Sequence, residues 1–368
     1  MTQRILLITN DFGPRAGGIE TFVIGLLERI GDQEVLVYTS HQDGYEEYDR
    51  TWQEKHGVEV IRDRAKILLP TPRVVLKLRK LIQKREIEII WFGAAAPLGL
   101  AARWLRPPIV KRIIALTHGH EVWWSKVPIF SLLMREIGKN VDRLGYLGDF
   151  TGAAIARVVP REKLVKIAPG IDTQHFMPYE AERNEPTIIS VGRLVHRKGQ
   201  DRLVDALALI KKEIPNAQLI FVGEGPHRSE LDRLIIEHGL EDSVQFVGRI
   251  PYKELPFFFS KGDLFAMPAR SRLLGLEVEG LGIVYLEASA CGLAVIGGSS
   301  GGAPDAVIHG KTGYVVDGED VEEIAARCIE LLKDGELRKK MGEAGRAWVE
   351  SEWSWEIWSN RFNDLLRK

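Results

Sequence analysis

Cysteine is nearly absent: the 368-residue chain has two, Cys291 and Cys328. With no pair at ligand spacing, a disulfide framework and a cysteine-based zinc module are excluded. Both fall in apolar helical patterns and are expected to be small core residues. No apolar run approaches the eighteen or so residues of a membrane span. The N-terminus leads straight into the strand-like Ile5-Leu6-Leu7-Ile8, without the pattern of a secretory leader, so a cytoplasmic location is expected. The G-x-G-x-x-G dinucleotide fingerprint is also missing. Gly13, Gly17 and Gly18 have the wrong spacing, and no acidic residue closes a second strand, which argues against hydride transfer.

What is present is an ordinary globular composition, 45% hydrophobic and 27% charged, in a chain long enough for two domains. The net charge of -1 conceals a division. Up to Gly170 there are 26 Lys+Arg against 19 Asp+Glu, and beyond it 24 against 32. The basic half is the one expected to face anionic surfaces. No nucleic-acid partner is expected.

Short apolar runs alternate with amphipathic stretches. Ile5–Thr9 precedes a polar loop and the helical Glu20–Ile30; Glu34–Tyr38, Val58–Ile61, Glu88–Phe92 and Ile113–Thr117 follow as strands. After the run Asn140–Leu147, a short helix and a turn-rich passage from Lys166 to Asp172, the alternation restarts at Ile188–Val191. It continues through Gln218–Val222, Val244–Val247, Leu264–Met267, Ala294–Ile296 and Tyr314–Val316, with helices over Asp201–Lys212 and Glu230–His238. The pattern predicts an α/β fold of two doubly wound, Rossmann-like domains facing across a cleft, with ligands at the strands' carboxyl ends. The expected boundaries are 1–170, joined by a C-terminal helix over 354–368 that crosses back, and 171–353. The whole tail from Asp334 reads as helical and carries Trp348, Trp353, Trp355 and Trp358, too much apolar area to leave in water.

Several clusters carry chemistry. In Ala269–Ala290, Glu279 and Glu287 stand eight residues apart across Gly280-Leu281-Gly282 and into an apolar helix start. N–H groups there, with two carboxylates nearby, suit a phosphate and sugar hydroxyls together; a glycine loop capping a helix that happens to carry acids is the plainer alternative. Gly192-Arg193 and Lys198-Gly199 follow the first strand of the second half. Arg193 and Lys198 would neutralise a diphosphate leaving group there, unless they are merely solvated loop cations. Gly17-Gly18, between the first strand and its helix, lets backbone approach an anion, or forms a simple tight turn. His118 ends a strand, which suits contact with a sugar or acceptor. His118-Gly119-His120-Glu121 lacks the i, i+4 histidine pair of a zincin, so no metal is expected. Arg73–Glu86 places Val74, Val75, Leu78, Leu81 and Ile82 on one helical face and Arg73, Lys77, Lys80 and Lys84 towards the other. This is the form either of a peripheral contact with anionic lipid, about 1 kcal/mol per basic residue, or of a helix packed on the sheet.

Taken together, Gly17-Gly18-Ile19-Glu20, His118-Gly119-His120-Glu121, Val191-Gly192-Arg193 with Lys198-Gly199, and the E-x7-E from Glu279 to Glu287 resemble the retaining family 4 glycosyltransferases of GT-B fold. Within that family T-H-G-H-E-V, V-G-R-L-V-x-R-K-G-Q-D, F-A-M-P-A-R, E-V-E-G-L-G-I-V-Y-L-E-A and the E-W-S-W-E-I tail are similar to the PimB-type GDP-mannose-dependent phosphatidylinositol mannoside mannosyltransferases. The chain departs from that subgroup at Glu20 and at Arg272-Leu273-Leu274-Gly275. The resemblance implies that Arg193 and Lys198 hold the nucleotide diphosphate, with Gly192 beside them and the N–H groups of Gly282, Ile283 and Val284 completing the phosphate site. Glu279 would contact sugar hydroxyls, Glu287 the ribose, and His118 the transferring sugar, while Gly17 and Gly18 line the acceptor side. Arg249 and Ile250 are the expected base contacts.

The implied activity is transfer of α-mannose from GDP-mannose to a phosphatidylinositol mannoside-type lipid at the inner face of the membrane. No bound cofactor or metal is required. The alternatives are another nucleotide sugar, UDP-glucose or UDP-N-acetylglucosamine, for cell-surface glycans, and an epimerase of similar fold. A glycosidase is disfavoured, because Glu279 and Glu287 lie on one side of a loop and helix rather than flanking a bond.

Overall fold

The computed structural model describes residues 3–15, 17–180 and 185–367. The chain forms two compact units, Met1–Gly170 with Trp355–Lys368, and Ile171–Ser354.

The first unit holds seven parallel strands: β1 Arg4–Thr9, β2 Glu34–Thr39, β3 Glu59–Arg62, β4 Ile89–Phe92, β5 Arg112–Leu116, β6 Arg143–Tyr146 and β7 Leu164–Lys166. Their order is β3-β2-β1-β4-β5-β6-β7. Ile5 to Ile8 of β1 are fully buried, as a central strand covered on both faces requires. The second unit repeats the plan with β8 Thr187–Val191, β9 Gln218–Val222, β10 Val244–Gly248, β11 Leu264–Met267, β12 Ala294–Gly298 and β13 Gly313–Val316, ordered β10-β9-β8-β11-β12-β13. Strand order therefore reverses beside β1 in one unit and beside β8 in the other. Ligands of doubly wound sheets sit at the carboxyl ends at such a reversal.

The strands expected from the apolar runs are present to within one or two residues, and β7 is an addition inside the passage that reads as turn-rich. The expected terminal helix over 354–368 is present, and the helical tail from Asp334 is divided ahead of it. Gly335–Glu352 and Trp355–Arg367 are separate helices, interrupted at Trp353 and Ser354. The second packs within the first unit. Phe362, fully buried, meets the Trp91 ring at 4.7 Å, and Arg112 and Asn363 add hydrogen bonds of 2.8 and 2.9 Å to Leu365 O and Arg29 O. Gly25 leaves room for this helix, since a Cβ there would lie 2.2 Å from the Trp355 ring.

Both cysteines are buried core residues, as their context implies. Burial pushes the Cys328 thiol up to about 12, leaving it unreactive at neutral pH.

The basic helix, Pro72–Lys84, is capped by Thr71, whose Oγ1 accepts from the Val74 N–H, and starts on Pro72, which has no N–H to lose. Val74, Val75, Leu78 and Ile82 are buried. Two of its five cations pair with an acid from outside the helix. Asp63, with no side-chain exposure, accepts from Arg73 through both oxygens at 2.7 and 3.0 Å, from Lys77 at 3.0 Å and from the Tyr38 hydroxyl at 2.5 Å. The Arg73 guanidinium above all holds the Asp63 carboxyl far below the usual range. Arg73 and Lys77 are thus structural partners of a buried acid, whereas the exposed Arg79, Lys80 and Lys84 make no ion pair among the described residues.

Candidate active site

In the second unit the residues singled out by the sequence come together after β8. Beyond Gly192 the chain makes a 3-10 turn, His196–Lys198, and enters the helix Gln200–Glu213 through Gly199. Gly199 has φ of 71°, and a Cβ would lie 2.0 Å from Pro268 O, so only glycine lets the turn close against the end of β11. The turn aims two cations at one carboxylate. Lys198 Nζ lies 2.8 Å and Arg197 Nη1 2.6 Å from Glu279 Oε2. Lys198 and Glu279 are each 8% exposed. Burial alone would raise the Glu279 carboxyl; Lys198 and Arg197 outweigh it and hold it below its ordinary value, so it is ionised and acts only as an acceptor.

Gly282, with φ of 75°, turns the chain from this carboxylate into the helix Ile283–Ala290. The N–H groups of Ile283 and Val284 stand in its first turn, ahead of the internal hydrogen-bond ladder. Glu287, 6% exposed, lies one turn further on. Its carboxylate makes no hydrogen bond among the described residues, and burial raises its pKa to about 7 against the opposing pull of Lys198. The loop after β12 closes over the other side: Gly302 N–H donates to Glu279 O at 2.8 Å, and a Cβ on Gly302 would lie 2.1 Å from Gly280 O. Ser300 Oγ accepts from the Glu279 N–H at 3.2 Å.

Arg193, placed by the sequence beside the diphosphate, is exposed, and among the described residues it makes no ion pair. The arginine that pairs with Glu279 is Arg197, which the sequence reading did not single out. Sequence reasoning missed Arg197 and the Ser299–Gly302 loop; the signals available were the run of cations in V-H-R-K-G and the serine-glycine run after β12. Arg249 and Ile250 follow β10 at its carboxyl end in the same unit.

The first unit gathers a separate cluster. His118 follows β5, and its Nε2 lies 2.5 Å from Gly93 O, which fixes the proton on Nε2 and leaves Nδ1 as the acceptor. Burial lowers its pKa, so the ring is neutral. Glu121 Oε2 accepts from the His118 N–H at 2.9 Å, while Oε1 lies 3.3 Å from His120 Nε2. The H-G-H-E sequence thus forms a self-bonded helix entry. Gly17 precedes the helix Gly18–Leu27, but Glu20 folds back over it. Its carboxylate is 2.9 Å from Arg15 Nη2, and a Cβ on Gly17 would lie 2.4 Å from Glu20 Oε2. A side-chain carboxylate with its arginine therefore occupies the helix start where Gly17-Gly18 suggested room for an external anion. Asp11, just beyond β1, was also missed; burial first and Glu20 second raise its pKa to about 6.

Residues 172–348 match the family described as Glycosyl transferases group 1, and residues 16–175 that described as Glycosyltransferase Family 4. The chain is 41% identical, over 99% of its length and 98% of the relative's, to the GDP-mannose-dependent alpha-(1-6)-phosphatidylinositol monomannoside mannosyltransferase of Mycobacterium tuberculosis. It is 40% identical to the monoacylated-substrate counterpart from Corynebacterium glutamicum, over 100% and 98%. Among solved structures, sucrose-phosphate synthase from Thermosynechococcus elongatus superposes with a TM-score of 0.83 at 24% identity, covering 99% of this chain and 98% of that one. That likeness shows the fold, and the sequence likeness shows the family. With paired Rossmann-like sheets and an E-x7-E whose first carboxylate meets two cations at a helix start, the chain belongs to the family 4 glycosyltransferases.

Proposed function

We propose that the protein transfers α-mannose from GDP-mannose to a phosphatidylinositol mannoside-type lipid, with retention at the anomeric carbon. The observation that carries the chemistry is the convergence of Arg197 and Lys198 on Glu279 beside the helix start at Gly282. The choice of mannose rests on end-to-end identity of 41% and 40% with enzymes named as GDP-mannose-dependent, which favours it over UDP-sugars and over epimerisation.

Breaking the bond between the sugar's C1 and the β-phosphate oxygen builds negative charge on the leaving GDP. Arg193, Lys198 and the N–H groups of Gly282, Ile283 and Val284 would stabilise that charge, with Arg197 holding the geometry. Glu279 would accept from hydroxyls of the mannose and Glu287 from those of the ribose. The acceptor hydroxyl attacks C1 from the face the diphosphate leaves, and its proton passes to the departing phosphate oxygen. The neutral His118 would contact the transferring sugar through Nδ1, Gly17 and Gly18 would border the acceptor, and Arg249 and Ile250 the guanine. None of these steps assigns a role to a metal.

The donor is tested by thermal unfolding with GDP, UDP and ADP. At about a hundredfold excess over its Kd, GDP should stabilise the chain by about 2.7 kcal/mol; equal or greater stabilisation by UDP would refute the GDP assignment. The pH arm examines Glu287. Its folded pKa of about 7 exceeds the ordinary 4.5. The folded chain therefore keeps a proton that the unfolded chain has lost, and this contribution to stability is full below pH 4.5 and lost as pH rises through 7. A ribose hydroxyl donating to the carboxylate favours its ionised form, so GDP binding should tighten as pH rises through 7, by at most about tenfold per unit. Glu287→Gln should flatten that dependence; an unchanged slope in the variant would remove Glu287 from the ribose site.

No helix among the described residues is long and apolar enough to cross a membrane. Peripheral contact with anionic lipid would fall to Lys80 and Lys84 beside the exposed Leu76, since Arg73 and Lys77 are held by Asp63. Lys80→Glu with Lys84→Glu should cut sedimentation with phosphatidylserine vesicles severalfold, and undiminished binding would discard this face.

A further inference from the structure

The loops after β8 and β9 run against each other in the second unit. Gly192 N–H donates to Val222 O at 2.9 Å, Leu194 N–H to Glu224 O at 3.0 Å, and His227 N–H to Leu194 O at 3.1 Å. The approach is as close as backbone allows: a Cβ on Gly223 would lie 2.1 Å from Gly192 O, and one on Gly225 2.1 Å from Leu194 O. This contact brings together two histidines distant in sequence. The His196 and His227 ring centroids are 3.6 Å apart. Asp201, in the first turn of the helix Gln200–Glu213, completes the group, with Oδ1 3.9 Å from His227 Nε2. One nitrogen or oxygen from each of the three lies within 4.8 Å of the others.

His227 is the telling member. It is 4% exposed, and its Nε2 is buried without a hydrogen-bond partner. A buried polar nitrogen left unbonded is unfavourable and calls for a ligand. His196 is exposed, which leaves it free to adjust and leaves open positions for water.

We propose that His196, Asp201 and His227 form a binding site for a divalent transition-metal cation of the zinc class. Two imidazoles and a carboxylate match that cation's preferred donors, at metal–ligand distances of about 2.0–2.2 Å. Those distances require ligand atoms that lie within 4.8 Å of one another to draw together by up to about 1.4 Å, a movement that falls mainly to the exposed His196 side chain. Asp201 is already paired with Arg270, at 3.0 Å from Oδ1 and 2.8 Å from Oδ2. Each carboxylate oxygen has a second lone pair for the metal, but the adjacent guanidinium weakens the site. The turn His196–Lys198 carries both a ligand and the Glu279-binding Lys198. A bound metal therefore clamps that turn to the 223–227 loop; it takes no part in the transfer step, and the site stands independently of the donor assignment.

The test uses the full chain stripped with EDTA. Co2+ is titrated alone and followed by its visible ligand-field absorption, and Zn2+ by calorimetry. The expected result is one saturable site per chain, with Zn2+ displacing Co2+. His196→Ala, at an exposed position, and His227→Gln should each weaken binding at least tenfold, with folding of each variant confirmed by circular dichroism. Absence of saturable binding, or unchanged affinity in His196→Ala, would overturn the proposal.

Discussion

Lys198→Ala should lower kcat for mannosyl transfer by roughly a hundredfold, the scale seen when one preorganised donor to a developing anion is removed. Lys198 is almost wholly buried, and its ammonium sits 2.8 Å from Glu279. Negative charge on the diphosphate grows as the sugar leaves, so the lost cation matters more in the transition state than in the bound ground state. The change should therefore fall mainly on kcat rather than KM. A secondary effect follows from Glu287, whose carboxyl Lys198 pulls downward; without that cation its pKa rises further and GDP binding at neutral pH weakens. Steady-state kinetics on a variant shown to be folded provides the check. Turnover equal to the unsubstituted protein would remove Lys198 from the phosphate site.

Phe362→Ala should destabilise the first unit by about 3–5 kcal/mol, the usual cost of emptying a buried phenylalanine site. The ring is fully buried and packs on Trp91, itself fully buried, so the cavity has little means of collapsing. Urea unfolding followed by tryptophan fluorescence, with the two units fitted as separate transitions, measures the loss. A change below about 1 kcal/mol, within the range of surface substitutions, would mean that the C-terminal helix contributes little to that unit.

Much of the fold was legible because buried parallel strands announce themselves as short apolar runs closed by glycine or polar loops, as Ile5–Ile8 and Ile188–Val191 do. The terminal helix was legible from residue 354, although the four tryptophans spread over the tail continue a helical pattern on either side of the break at Trp353 and Ser354. The site was legible in its carboxylates. Glu279 and Glu287 lie on one continuous stretch, so their spacing could be read directly. Their cationic partner was harder. Arg193, Arg197 and Lys198 are all plausible in the sequence, and only the 3-10 turn at His196–Lys198 decides that Arg197 meets Glu279.

Two other expectations were altered by partners outside the local pattern. The basic face of Pro72–Lys84 looked free along the helix, but Asp63, just past β3, draws in Arg73 and Lys77. Gly17-Gly18 looked open to an anion, but Glu20 one turn on bends back over it with Arg15. Helical periodicity reports which residues share a face and says nothing of an acid arriving from another segment.

The most direct measurement of the central claim is transfer of labelled sugar by the purified chain, supplied separately with GDP-mannose and UDP-glucose, with and without phosphatidylinositol monomannoside in mixed micelles. One α-linked mannosyl-lipid product per GDP released is expected, only with GDP-mannose and only when the lipid is present. Preferred transfer from UDP-glucose, or an altered sugar nucleotide formed without the lipid, would contradict it.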